Sequence, residues 1–214
     1  MTTKTAGRDA VASDLRAAAV NATPGNEVLT ILQRIEAKDV RESFPKGKAE
    51  VIAIVTGVGI DGAAKVAIRP LPFLTKAGEG RTPNMDIVNW DEFASKYVNI
   101  EFWELDGDVD FTHVARGLVD SVGDIGTLIA PGGTAPDTPA EKAEQVLAIV
   151  TKRSQAAVAL VTRLGETVLR AMGSGSWLKD DHDYLDTFYT IERGEHYKDR
   201  LGANRNIKMT LRPQ

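Results

Sequence analysis

The chain has 214 residues, 43% hydrophobic and 26% charged, with a formal net charge of -4 and a pI near 5.5. That is enough chain for one large domain, or one domain with an appendage, and enough apolar residue to pack a core rather than stay disordered. A mildly acidic chain is poorly suited to neutralising phosphates, which argues against nucleic acid as a partner, and the lack of cysteine excludes disulfides, thiol catalysis, thiolate zinc sites and iron–sulfur clusters.

The stretch Met1–Asp9 has no apolar run behind its positive charges, so no classical secretory signal is expected there. No stretch approaches the roughly 18 uninterrupted apolar residues of a membrane span. These features predict a cytoplasmic or otherwise non-secreted protein.

The elements follow in chain order. Residues 8–22 are alanine-rich, with Val11, Leu15, Ala18 and Ala19 on one side, and predict a helix. Thr23 and Pro24 suit an N-cap and a first helical position. Val28, Ile31, Leu32 and Ile35 then recur at helical spacing, predicting a second helix to about Asp39. A polar turn over 43–47 closes this N-terminal helical segment, residues 1–45. From residue 46 to 214 the chain reads as a β-rich domain. Glu50–Thr56 is a β-branched run, apolar on both faces, and Lys65–Arg69 is a second strand stopped by Pro70 and Pro72. Further strands are expected at 86–90 and 97–105, a short helix over 111–122, and a glycine- and proline-rich loop over 123–135.

Thr138-Pro139-Ala140-Glu141 is a capping box with proline at the first helical position. Val146, Ile149, Val150, Ala157, Leu160, Val161, Leu164, Val168 and Met172 then repeat near 3.6 residues, and Gly173 is a natural stop. An unbroken helix over 139–172 would be about 50 Å long. A globule of this size has a radius of gyration of only ~17 Å. The helix must therefore break, near Ser154 or Gly165, or project toward a partner. Arg153 interrupts its apolar stripe, which calls for a break, a salt bridge or a contact there. Strands at 187–192 and 206–212 end the chain. The pattern is α+β: an antiparallel β-sandwich or sheet with an N-terminal helical pair and one long internal helix.

Gly57-Val58-Gly59-Ile60-Asp61-Gly62 fits G-x-G-x-x-G, but the residues that follow are too short and too β-branched for a dinucleotide-binding helix. Asp61-Gly62 instead suits a hairpin turn. The three histidines fall in no metal-ligand spacing. No nucleophile elbow or Walker lysine is present.

Two aspartate-rich loops flank the long helix. One carries Asp106, Asp108 and Asp110, the other Asp180, Asp181 and Asp183. If they meet, their mutual repulsion calls for protonation or a hard cation such as calcium, which takes six to eight oxygens. The EF-hand pattern fails, because Phe111 stands where its glycine should be and Gly117 where its glutamate should be. Asp110 has an alternative use as the cap of the helix that follows it.

On these residues the stretch of about 49–212 resembles C2-like β-sandwich modules. The resemblance implies two packed sheets with acidic loops at one end that bind calcium and then membranes or partners. Strong structural signals beside absent catalytic ones give the primary expectation: a non-catalytic binding or assembly protein, a homo-oligomer or a subunit of a larger structure. The alternatives are a calcium-dependent module for a membrane surface or partner, and a metal-dependent enzyme using the acidic loops.

Overall fold

Val51–Val58 is apolar on both faces because it is covered on both. In the computed structural model, which describes residues 27–41, 49–105, 110–129, 138–174 and 182–214, this strand lies in the middle layer of three. The strands are β1 Leu29–Ala37, β2 Val51–Val58, β3 Ala64–Pro70, β4 Met85–Asn89, β5 Tyr97–Glu104, β6 Asp183–Glu192, β7 Tyr197–Leu201 and β8 Ile207–Pro213. The helices are α1 Phe111–Val122, α2 Pro139–Val150 and α3 Gln155–Ser174. Sheet one has the order β4-β1-β8-β7 and sheet two the order β3-β2-β5-β6, every pair antiparallel. The chain is thus an α+β fold with two four-stranded antiparallel sheets, the sandwich-like arrangement expected from the strand pattern. The helices cover the second face of sheet two.

Strand periodicity assigns the two cores. Val51, Ala53 and Val55 of β2, Val98, Ile100 and Phe102 of β5, and Ile35, Met209 and Leu211 of sheet one fill the space between the sheets. Phe102 meets Phe188 edge-on at 5.8 Å. The alternate residues Ile52, Ile54, Val58 and Trp103 pack instead against Val114, Leu118, Val146, Leu160, Leu164 and Val168 of the helices.

The predicted helix ending near Asp39 is corrected to a strand over 29–37. Its register slips against β8 between Leu32 and Arg34. That bulge adds a residue, so the buried apolar positions Leu32 and Ile35 stand three apart rather than two. A bulged strand thereby imitates helical spacing. The strand is central in sheet one, paired to β4 and β8. The predicted helix over 8–22 and the turn over 43–47 lie outside the described residues.

The stretch read as one long helix is two, broken at 151–154, which is the break expected near Ser154 and not the one near Gly165. Thr151 Oγ1 donates to Leu147 O, and Ser154 Oγ accepts from Ala157 N, so the chain ends one helix and caps the next. Arg153 sits in the break, with Nε 2.5 Å from Glu192 Oε1 and an amino nitrogen 3.8 Å from Glu195. The capping box holds at both of its bonds: Glu141 N donates to Thr138 Oγ1 and Thr138 N to Glu141 Oε2. The glycine-rich motif is a hairpin. Val58 pairs with Ala64, Gly59 N donates to Ala63 O, and Gly62 takes φ +78°.

Candidate functional site

Sheet two carries the polar chemistry of the molecule at the end where β5 stops and β6 starts. Glu104 and Asp183 are Cα partners across those strands, so the loops after Leu105 and before His182 are rooted side by side. Asp106, Asp108, Asp180 and Asp181 lie outside the described residues. Asp183 is the first residue of β6 and half-buried. Asp110 caps α1, its Oδ1 accepting from Thr112 N at 2.9 Å and His113 N at 3.3 Å. Trp103, which opens the first acidic loop in sequence, is 3% exposed and packs its ring 5.3 Å from that of Tyr184. Among the described residues, no three carboxylates or histidines are grouped to hold a metal ion.

Two buried carboxyls were not singled out by sequence motifs, and their environments are opposite. Asp186 of β6 is fully buried and surrounded by donors. Its Oδ1 accepts from Thr187 N and Asn204 N at 2.8 and 2.7 Å, and its Oδ2 from Asn206 N and Ile207 N at 2.8 and 2.7 Å. Gly202 makes this possible, because a Cβ there would fall 2.3 Å from Asp186 Cγ. Asp186 thus shapes the β7–β8 turn. Glu101 of β5 is also 0% exposed, but neither carboxyl oxygen has a hydrogen-bond partner. Burial pushes its carboxyl up to about 8, and attraction to the Trp103 indole two residues on works in the other direction.

Beside Glu101, Asn99 ties three elements together. Its Nδ2 donates to Val161 O of α3 at 2.6 Å, and its Oδ1 accepts from Thr190 N of β6 at 3.1 Å. Gly165 lies over this amide, where an added Cβ would come 2.4 Å from Asn99 Nδ2. Tyr184 closes the group by donating to Thr187 Oγ1 at 3.0 Å. Its hydroxyl is held above the usual tyrosine range, chiefly by burial.

A cleft of about 220 Å³ opens elsewhere, between the β2–β3 turn and the ends of α1 and α2. Asp61, Asp124, Ile125, Lys142 and Val146 are among its lining residues. Lys142 Nζ already pairs with Asp124 Oδ2 at 2.8 Å, and that pairing together with Gly126 N holds the Asp124 carboxyl below its ordinary value. Among the described residues, none of the β5–β6 end lines this cleft.

Fold and site together define a two-sheet α+β protein with one helix-covered sheet and buried carboxyls on two of that sheet's neighbouring strands, β5 and β6. Among the described residues, no helix is long and apolar enough to cross a membrane. The chain belongs to the family described as protein of unknown function (DUF3103), whose model matches residues 3–135 and 137–214. No curated protein and no solved structure matches it.

Proposed function

We propose that this chain is a non-catalytic binding or assembly protein that engages its partner through the end of sheet two where β5 stops and β6 starts. The observation that carries the reading is the pairing of Glu104 with Asp183, which roots both aspartate-rich loops on neighbouring strands. The use of the polar side chains supports it. Asp186 serves four backbone N–H groups, Asp110 caps a helix, and Asn99 holds α3 to the sheet. These groups do structural work, and Glu101 is sealed from any substrate by the helix layer. Native mass measurement on the full chain, alone and mixed with cell extract, tests the reading. Oligomer or complex formation that Asp106→Ala and Asp181→Ala weaken supports it; a strict monomer at high concentration that recovers no partner sinks it.

A second reading, favoured by the same pairing, makes the contact depend on a hard cation. Carboxylates of two segments rooted on neighbouring strands would supply several of the six to eight oxygens that calcium takes. Calorimetry with calcium separates the two readings. Heat and a raised melting temperature that Asp106→Ala and Asp181→Ala abolish indicate a cation-dependent module. Assembly with no response to calcium leaves the first reading alone.

A further inference from the structure

Glu101 lies on the face of β5 that meets the helices, opposite Ile54 of β2 and Thr187 of β6. The groups around it make it a carboxyl that cannot ionise in place. On β6 these are the Tyr184 and Tyr189 hydroxyls, which also feel Asp186 and, from α3, Glu166. β2 contributes the apolar Ile54, and β5 contributes Asn99 and the Trp103 indole. Neither carboxyl oxygen has a hydrogen-bond partner, and no ion pair among the described residues reaches Glu101. A carboxylate held there would have neither water nor a cation, a state costly enough that the structure yields instead.

The element that can yield is α3. Asn99 fixes it at Val161, and Gly165 sits hard against the same amide. Beyond that pin the helix continues to Ser174, and Val168 and Met172 from this half pack in the core that contains Trp103. We propose that Glu101 is a proton-linked latch: protonated, it lets the C-terminal half of α3 close on sheet two, and on losing its proton it drives that half away until water reaches the carboxylate. The pivot is the Asn99–Val161 bond, which stays made in both states. Burial raises the carboxyl to about 8, so release falls in the mildly alkaline range. The tyrosine hydroxyls nearby are raised by burial as well and stay neutral through it. The latch does not depend on what the acidic loops bind.

The test uses the full chain labelled with carbon-13 at the glutamate carboxyls, titrated by NMR, with amide exchange of residues 162–172 followed in parallel. One carboxyl should titrate near pH 8 and be missing in Glu101→Gln. Protection of the 162–172 amides, corrected for intrinsic exchange, should fall by about tenfold or more across that titration in the wild type and hold in Glu101→Gln. Three results would overturn the latch: every glutamate titrating in the ordinary range, exchange unchanged while Glu101 titrates, or an equal loss of protection in Glu101→Gln. If Glu101→Gln does not fold, the wild-type titration and exchange decide alone.

Discussion

Asp186 and Glu101 stand on neighbouring strands of one sheet, both fully buried, and they solve the same problem in opposite ways. Asp186 faces a turn whose backbone N–H groups converge on it, so its charge is dispersed over four hydrogen bonds. Glu101 faces a helix flank, where the backbone N–H groups are already used within the helix, and the Trp103 indole on its own strand offers it attraction without a made hydrogen bond. Burial alone therefore does not decide whether a carboxyl is an anchor or a liability. The surrounding backbone does: a turn offers free N–H groups, and the middle of a helix offers none.

The largest test of this contrast is Asp186→Ala. It leaves four N–H groups without their acceptor, those of Thr187 and Ile207 buried, and should cost about 3–5 kcal/mol, read from urea unfolding. Asp186→Asn should recover part of that, because one side-chain oxygen still accepts. A loss below about 1 kcal/mol for Asp186→Ala would mean that the turn holds itself.

Glu101→Gln should behave in the reverse sense, and only with pH. In the folded chain Glu101 keeps its proton up to about 8, whereas the unfolded chain releases it near the ordinary 4.5. The folded state then holds more protons between those values, so the stability Glu101 contributes is complete below pH 4.5 and falls as pH rises toward 8. Relative to the wild type, Glu101→Gln should gain roughly 2–4 kcal/mol between about pH 5 and pH 9, measured by denaturant titration at each pH. A constant difference would erase the contrast with Asp186.

Gly165→Ala tests how tightly α3 presses on the sheet beside Glu101. Alanine favours a helix by about 1 kcal/mol, yet its Cβ would meet Asn99 Nδ2 at 2.4 Å, so a net loss of about 1–2 kcal/mol is expected. Combining it with Asn99→Ala should give strong non-additivity in unfolding measurements. The smallest effect belongs to Asp110→Ala, an exposed carboxylate that caps α1. Thermal unfolding should register a loss of about 1 kcal/mol. It sets the scale for a carboxylate that water can serve.

Local chemistry made much of the fold legible in advance. The capping box at Thr138, the hairpin at Asp61-Gly62 and the two-faced apolar run of β2 each act through near neighbours, and each is found as read. What escaped depends on partners far away in sequence. The bulge in β1 is defined only against β8, some 180 residues later, and without it Leu32 and Ile35 look helical. β7 carries Lys198, Asp199 and Arg200 in place of an apolar alternation, because an edge strand is bonded on one side and open on the other. Glu101 and Asn99 alternate with Ile100 and Phe102 as solvent-facing residues would, and only the later helices bury that face. The Asp110 cap was legible, and the antiparallel neighbourhood of the roots of the two acidic segments was not, since it rests on β5 pairing with a strand about 80 residues on.

The position of β8 sets an order of events during synthesis. It lies inside sheet one, between β1 and β7, yet it is made after every other described strand. Until it leaves the ribosome, β1 has only β4 beside it, and the inner face of sheet two lacks Met209 and Leu211 as cover. The first half of the chain must therefore wait with apolar surface uncovered, and folding completes in a late, long-range step of the kind that is slow and open to aggregation. A ribosome stalled before Ile207 should hold a nascent chain that chaperones still recognise.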